Sequence, residues 1–493
     1  MPRMSNGAPA TIVIRANGCK LNVTGSATFL GGYPIFARGE RDGIFGEWHW
    51  DGQRLEARVD RLGMFPLYYS ELPNGIAVST SISDLIKAGA SPEIDWTALQ
   101  ILFRMGFCIA CDTVFRAVKA FPVGGKLTWT PDRLQVTECF PEIKINLLPR
   151  SNAIDAYIDI FRSAVRKRVL DGAPIRLPLS GGRDSRHILL DLVTIGSPPA
   201  CCYTSSYSTM LDDARVAREI CAALRVPHFE SCIPEKDDIV RTELEKNDLI
   251  NFQALEHGWS WLLAKTMADA EAVSYDGIAG DVLSAGHFHD DENSRLYRAG
   301  RFEDLARRLA PDMGLVLLPT LWREASAAAD LHSALVTELL RYQHTQNPMM
   351  FFFLYNRSRR AVSPTIQCLY GRVLRAAYAP FLDQDVFDFL AGLPEEMFVD
   401  KKFHTQAIAR AHPGIGEMAF AKKTPIPRDL QRRYATQGFR FALRASSPLF
   451  DRRAVLLRFA RSLLLRRYEP EANWVLHQAV MLYQLGQLQL STN

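Results

Sequence analysis

No stretch of this chain is apolar for long enough to cross a membrane, no segment repeats, and no tract is of low complexity. A membrane span, a solenoid and a fibrous repeat are therefore not expected. The opening residues, MPRMSNGAPATIVIRANGCK, lack the apolar core of a secretory signal, so the expected location is the cytoplasm. Cysteine is sparse, odd in number at 9 and scattered, which argues for reduced thiols rather than a disulfide framework. The pair Cys108 and Cys111 has CxxC spacing, but no second pair follows to complete a zinc site, and a loop with two free thiols is the simpler reading. Excess charge is also slight, +4 over 493 residues, and gives no reason to invoke nucleic acid. The basic residues between Lys422 and Arg467 could face phosphates or an acidic partner, although a solvated helix face is the simpler reading.

What is present is ordinary for a globular protein, with 47% hydrophobic and 23% charged residues. The length exceeds one core of usual size, so two or three domains are expected. Residues from about 10 to 140 read as short strands separated by turns, giving a β-rich domain assigned to 1–145. The segment CFPEIKINLLPRSNA carries two prolines and loses periodicity, which marks a linker ending near Ser151. From 152 to 493 the order is helix, strand, glycine loop, helix, strand, helix, and then mostly helix. That order predicts an α/β fold with a doubly wound parallel sheet, whose ligands sit at the carboxyl ends of the strands.

The stretch LPLSGGRDSRHILLDL, Leu177 to Leu192, concentrates the chemistry. Ile175, Leu177 and Leu179 alternate as in a strand, Gly181 and Gly182 permit a tight turn, and the apolar run from Ile188 has helical spacing. A strand thus delivers a glycine loop to a helix N-terminus, where backbone N–H groups and the helix dipole favour an anion and Ser180 and Ser185 add hydroxyls. An acid in an anion loop is costly unless it holds a cation, so Asp184 reads as a magnesium ligand. An ordinary βα turn is the alternative. The stretch AEAVSYDGIAGDVLSAGHFHD repeats the pattern with Gly277, Gly280 and Asp281. Asp281 reads as a second metal ligand or, alternatively, as a helix cap. His287 and His289 lack distant partner ligands and make a poor metal cluster. Lys422 and Lys423, ahead of a proline-braced loop, could offset charge on a triphosphate or oxyanion, or simply be solvated.

LSGGRDS resembles the S-G-G-x-D-S pyrophosphate loop of ATP pyrophosphatases, in particular the glutamine-dependent asparagine synthetase superfamily. DRLGMFPLYY and DTVFRAVKAFPVGGKLTW resemble segments of that family's N-terminal glutaminase domain, and YAPFLDQDVFDFLAGLPEEM resembles its P-F-L-D helix. The resemblance spans nearly the whole chain. It implies an N-terminal degenerate glutaminase-like (Ntn-hydrolase-like) domain and a C-terminal ATP pyrophosphatase domain with additional helices. It also implies ATP and Mg2+ as cofactors, cleavage of ATP to AMP and pyrophosphate, and adenylation of a carboxylate that an amine then captures. Ser180, Gly181, Gly182 and Ser185 would cradle pyrophosphate, Asp184 and Asp281 would hold magnesium, and Lys423, or Lys422 in its place, would stabilise charge during acyl transfer. Gly277, Leu179 and Tyr203, Thr204 and Ser205, at strand ends, would line the nucleotide.

The departures from the family pattern are equally informative. Glutamine-hydrolysing members use an N-terminal cysteine, whereas position 2 here is Pro and the first cysteine is Cys19. The N-G-E and S-D-T-E glutamine motifs are also missing, so glutaminase activity is not expected. β-Lactam synthetases place a tyrosine, and asparagine synthetases a glutamate, where this chain has Ile278, which cannot accept a proton. An α-amine, with pKa about 8, needs less help than most amines. This favours a lasso-peptide cyclase, a ligase that closes a macrolactam between an Asp or Glu side chain and the N-terminal amine of a precursor peptide. A leader peptidase and a leader-recognition protein would be further partners, with no nucleic acid and no membrane. A β-lactam or other small-molecule amide synthetase, a tRNA-modifying ATP pyrophosphatase and a non-catalytic peptide-binding scaffold are the alternatives.

Overall fold

The computed structural model describes residues 9–18, 20–37, 40–170, 172–206, 211–232, 238–255, 258–286, 290–311, 330–422 and 424–490. Cys19, His287, His289 and Lys423 lie outside the described residues.

The N-terminal region forms two five-stranded antiparallel sheets. Strands β1 (Thr11–Asn17), β2 (Lys20–Gly25), β6 (Tyr68–Leu72), β7 (Gly75–Ser79) and β8 (Lys119–Ala120) run in the order β2-β1-β7-β6-β8. Strands β3 (Thr28–Ala37), β4 (Glu40–Trp50), β5 (Leu55–Val59), β9 (Lys126–Thr130) and β10 (Arg133–Thr137) run in the order β10-β9-β5-β4-β3. Alternation drives the stacking: Leu55, Ala57 and Val59 are buried at every second position of β5, and Ile12 and Ile14 do the same in β1. Trp48, Leu127 and Trp129 fill the space between the sheets. Helices α1 (Ile82–Lys87) and α2 (Trp96–Met105) follow β7. Cys108 and Cys111 sit on the loop after α2 as free thiols, and burial pushes Cys108 up to about 12, which rules out an activated thiolate there.

After Thr137 the chain carries no regular structure until α3 (Arg150–Arg166) begins behind Pro149. The parallel sheet comprises β11 (Arg176–Pro178), β12 (Cys201–Ser205), β13 (His228–Ser231), β14 (Asp269–Tyr275) and β15 (Leu374–Tyr378). Strands β11, β12 and β13 pair in parallel, as do β14 and β15, and a parallel bridge between Ile175 and Val273 joins the two sets. The resulting order, β13-β12-β11-β14-β15, reverses direction between β11 and β14, the switch point where such sheets leave a crevice. Helices α4 (Asp184–Thr194), α5 (Leu211–Leu224), α6 (Ile239–Leu249) and α7 (Gly258–Thr266) connect the strands, and α8 (Gly280–Leu283) follows β14. The fifth strand, LRAAY, falls in a region read from sequence as helical; its alanines have little strand preference, and pairing with β14 creates it. The basic C-terminal segment forms helices Arg428–Arg444 and Arg452–Leu464, where Arg428 pairs with Glu469 and Arg461 lies over the Tyr468 ring.

Buried arginines join the two regions. Arg359 donates to the carbonyls of Phe121 and Ala110, and Arg360 to those of Ala110 and Asp112, all on N-terminal loops. Arg168 in turn lies between Asp383, at 2.7 Å, and Asp42 of β4, at 3.6 Å. A third buried ionic group ties α6 to the terminal helix Glu471–Leu490. Glu243 takes His477 Nδ1 at 2.8 Å and Lys246 Nζ at 3.0 Å. Burial opposes its charge, but His477 and Lys246 hold it at about 2, below its ordinary 4.5. A depressed carboxyl stabilises the fold above its unfolded pKa, and that stability drains as pH falls through the folded value. The wild-type unfolding free energy should therefore drop by on the order of 3 kcal/mol between pH 4.5 and 2. Glu243→Gln should lose a similar amount at pH 7 and show a shallower acid limb, as measured by denaturant titration across that range.

Candidate active site

The glycine loop between β11 and α4 is held from both sides. Ser185 Oγ accepts from the Ser180 amide at 3.0 Å, and Ser180 Oγ accepts from the Gly182 amide at 3.2 Å. The Gly181 amide, expected to face pyrophosphate, instead donates to Asp213 Oδ1 of α5 at 2.7 Å. The Gly181 carbonyl accepts from Ala421, and the neighbouring Lys422 amide donates to Asp212 Oδ2 at 2.6 Å. Arg186, wholly buried, donates to the carbonyls of Met418, Ala419 and Gly181 and lies 4.1 Å from the Phe420 ring centre. Burial and neighbouring Arg183 lower it to about 10, so it stays charged at neutral pH. Glycine loop, α5 N-terminus and residues 418–422 are therefore tied together, with the Lys422 side chain exposed beside them.

Asp184, the first residue of α4, meets the second glycine loop. A Cβ on Gly277 would lie 2.7 Å from Asp184 Cβ, and one on Gly280 would lie 2.7 Å from its carboxyl carbon, so only glycine permits this approach. Between them Ala279 adopts φ 67°, a left-handed conformation that a residue with a side chain takes only when its surroundings impose it. His404 Nδ1 stands 3.3 Å from Asp184 Oδ1 on the inner side. Asp281 is the second residue of α8, not its cap, and its carboxylate pairs with Arg357 at 3.0 Å. Asp276, which sequence reasoning passed over, is pushed up to about 7 by loss of hydration, with Asp184 and Asp281 adding to the shift. Three acids thus converge, and one of them keeps its proton near neutrality unless a cation offsets the charge. Ile278 is buried, 2% exposed, and offers nothing to a proton in the cleft.

A cleft of about 260 Å³ opens at the ends of β11, β12 and β14. Of the residues singled out from sequence, Leu179, Ser180, Asp184, Ser185, Tyr203, Thr204, Ser205 and Gly277 all line it. Asp281, Gly181, Gly182 and Lys422 do not. The opposite wall comes from Trp259 and Leu263 of α7 and from Val362, Ile366 and Tyr370, residues with no local motif to announce them. The cleft is apolar along its helical wall and acidic at the glycine loops, which suits a purine ring on one side and a metal-bound phosphate on the other.

The asparagine synthase family model matches residues 156–484. The chain belongs to the asparagine synthase family. A glutamine amidotransferase domain model matches residues 38–140, within the two stacked antiparallel sheets. No curated protein matches the chain. Family membership makes this an ATP-dependent, amide-forming ligase, and the cleft lies where its parallel sheet switches direction. Among the described residues, no helix is long and apolar enough to cross a membrane. The contact between Asp184 and Gly277 gives a direct test: Gly277→Ala places a methyl against Asp184 and should lower kcat/KM for ATP on the order of 100-fold. The forced shift should also lower the thermal midpoint; unaltered kinetics would show that Asp184 has room to move.

Proposed function

We propose that this family member is a lasso-peptide cyclase, which adenylates an Asp or Glu side chain of a precursor peptide and closes a macrolactam with the peptide's own N-terminal amine. The supporting observation is Ile278. The loop that meets Asp184 buries an aliphatic side chain where relatives deploy a proton acceptor, so the favoured nucleophile is an amine already partly neutral at pH 7, such as an α-amine. The carboxylate attacks the α-phosphorus of ATP, pyrophosphate leaves and an acyl-adenylate forms; the amine nitrogen then attacks the acyl carbon, AMP leaves, and the amine releases a proton.

The chain's own groups divide this work. Leu179, Tyr203, Thr204 and Ser205 receive the adenosine, with Tyr370 and Trp259 opposite. The Ser180 and Ser185 hydroxyls face the phosphates, and the Gly181 amide joins them once Asp213 releases it. Hard carboxylate oxygens on Asp184 and Asp281, with Asp276 beside them, suit Mg2+, which when bound supplies charge neutralisation of the triphosphate. Lys423, on a segment whose neighbour Lys422 is tied to Asp212, would offset negative charge on the acyl carbon's oxygen. The N-terminal sheets serve as a scaffold that the buried arginines clamp in place, without glutaminase chemistry. A precursor peptide is the implied partner, with a leader peptidase and a leader-recognition protein acting beside it.

Mass spectrometry of a candidate core peptide incubated with enzyme, ATP and Mg2+ should show loss of one water, with AMP and pyrophosphate as co-products. A product from a compact amino acid but from no peptide would replace this reading with a small-molecule amide synthetase. Asp184→Asn should abolish product while the fold is retained. Lys423→Met should cost on the order of 3 kcal/mol in the acyl-transfer step while ATP affinity holds. An N-acetylated peptide on wild-type enzyme should stall at the same adenylate. Glutamine should yield no glutamate; its release above background would restore amidotransferase chemistry.

A further inference from the structure

Behind the glycine loop, on the side of α4 away from the cleft, lies a second constellation that ATP chemistry does not use. His187 and Asp191, one helical turn apart on α4, share a face with His412, which follows helix Phe403–Ala411. One ligand atom from each lies within 4.8 Å of the others. His187 and Asp191 are fully buried, and His187 Nε2, Asp191 Oδ2 and His412 Nε2 are buried without making a hydrogen bond. Such groups are costly to leave unpaired unless something sits between them.

The surrounding hydrogen bonds say what that something is. Ser284 Oγ donates to the Gly280 carbonyl at 2.8 Å, so toward His404 Nδ1, at 3.0 Å, it must accept; His404 therefore carries its proton on Nδ1. His404 Nε2 is then a lone pair and accepts from His187 Nδ1 at 3.1 Å, which turns the His187 Nε2 lone pair toward Asp191. On the other side Thr194 Oγ1 donates to the Leu190 carbonyl at 2.8 Å and lies 3.4 Å from His412 Nδ1, so that His412 turns its Nε2 toward the cluster. Two imidazole Nε2 atoms and a carboxylate thus face one another across a small buried space. Arg162 Nε donates to Asp191 Oδ1 at 2.9 Å.

We propose that His187, Asp191 and His412 form a structural zinc site, completed by a water. The separations fit. His412 Nε2 lies 3.2 Å from Asp191 Oδ1, and His187 Nε2 lies 3.7 Å from Asp191 Oδ2. Ligands about 2.0–2.1 Å from a tetrahedral zinc are roughly 3.3 Å apart. Two imidazoles and a carboxylate suit zinc better than Mg2+, which prefers oxygen donors. The His404 and Thr194 hydrogen bonds are the outer partners that orient ligating histidines. The ion would pin α4, which carries Asp184 and Ser185, to the segment following Ala411 that leads to Lys422, and it requires no particular substrate for the amide ligation.

The test uses the full chain, stripped with a chelator, desalted and held in excess Mg2+ so that the carboxylates of the cleft are saturated. Titration with Zn2+ should show about one tight equivalent by calorimetry and elemental analysis. Co2+ in its place should give visible absorption typical of four-coordinate geometry, and the thermal midpoint should rise with added Zn2+. His412→Gln, the variant at the most accessible ligand, should fold, lose all three signals and keep the unfolding midpoint of the stripped wild type. Asp184→Asn should retain zinc, which separates this site from the nucleotide site. Binding well below one equivalent would show that a proton fills the gap, and full binding in His412→Gln would place the metal elsewhere; either result overturns the assignment.

Discussion

The closeness of Asp184 to the Gly277–Gly280 loop is the constraint on which the site depends. The first residue of α4 lies against backbone from the far side of the sheet switch, with no space for a Cβ at either glycine. This contact brings the ends of β11 and β14 together and places three carboxyl groups within electrostatic reach of one another. The strained φ of Ala279 is maintained because the loop is fixed at both ends. A cation would relieve the resulting repulsion, so the geometry that crowds the acids is one that a metal-bound triphosphate would suit.

A second layer of organisation is built from buried arginines. Arg186 binds three carbonyls around the glycine loop, and Arg359 and Arg360 bind carbonyls of the antiparallel region. Each guanidinium offers five donors in a plane, which allows one side chain to satisfy several loop carbonyls that have no strand partner. The antiparallel sheets are thereby fastened to the ligase region through irregular backbone. A region that matches a glutamine amidotransferase domain can in this way remain part of the structure through its contacts, independent of any chemistry of its own.

The same economy extends along α4. One face of its first turns presents Asp184 and Ser185 to the cleft, while His187 and Asp191 point to the interior. His404 joins the two, standing 3.3 Å from Asp184 Oδ1 and 3.1 Å from His187 Nδ1. The position of Asp184 is thus tied through His404 to the packing behind the helix, where a polar cluster is set into the apolar core.

The local features of the ligase were legible in sequence. Alternating apolar residues before Gly181 and helical spacing after it located the β11 loop and α4, because a strand, a glycine turn and an amphipathic helix each leave a short-range pattern. Eight of the residues singled out for nucleotide and metal line a single cleft. What the pattern could not contain was any contact between distant segments. Strand β15 forms only because β14 is beside it, and the wall of Trp259, Ile366 and Tyr370 has meaning only once helices far apart in the chain pack across the strand ends. Asp213 on the Gly181 amide, Arg357 on Asp281 and His412 beside Asp191 likewise depend on folding. Local periodicity decided which elements exist and in what order, since it is set by residues within a few positions of one another. Tertiary packing decided which charges meet and which donors are already taken, because those energies depend on separations through space rather than along the chain.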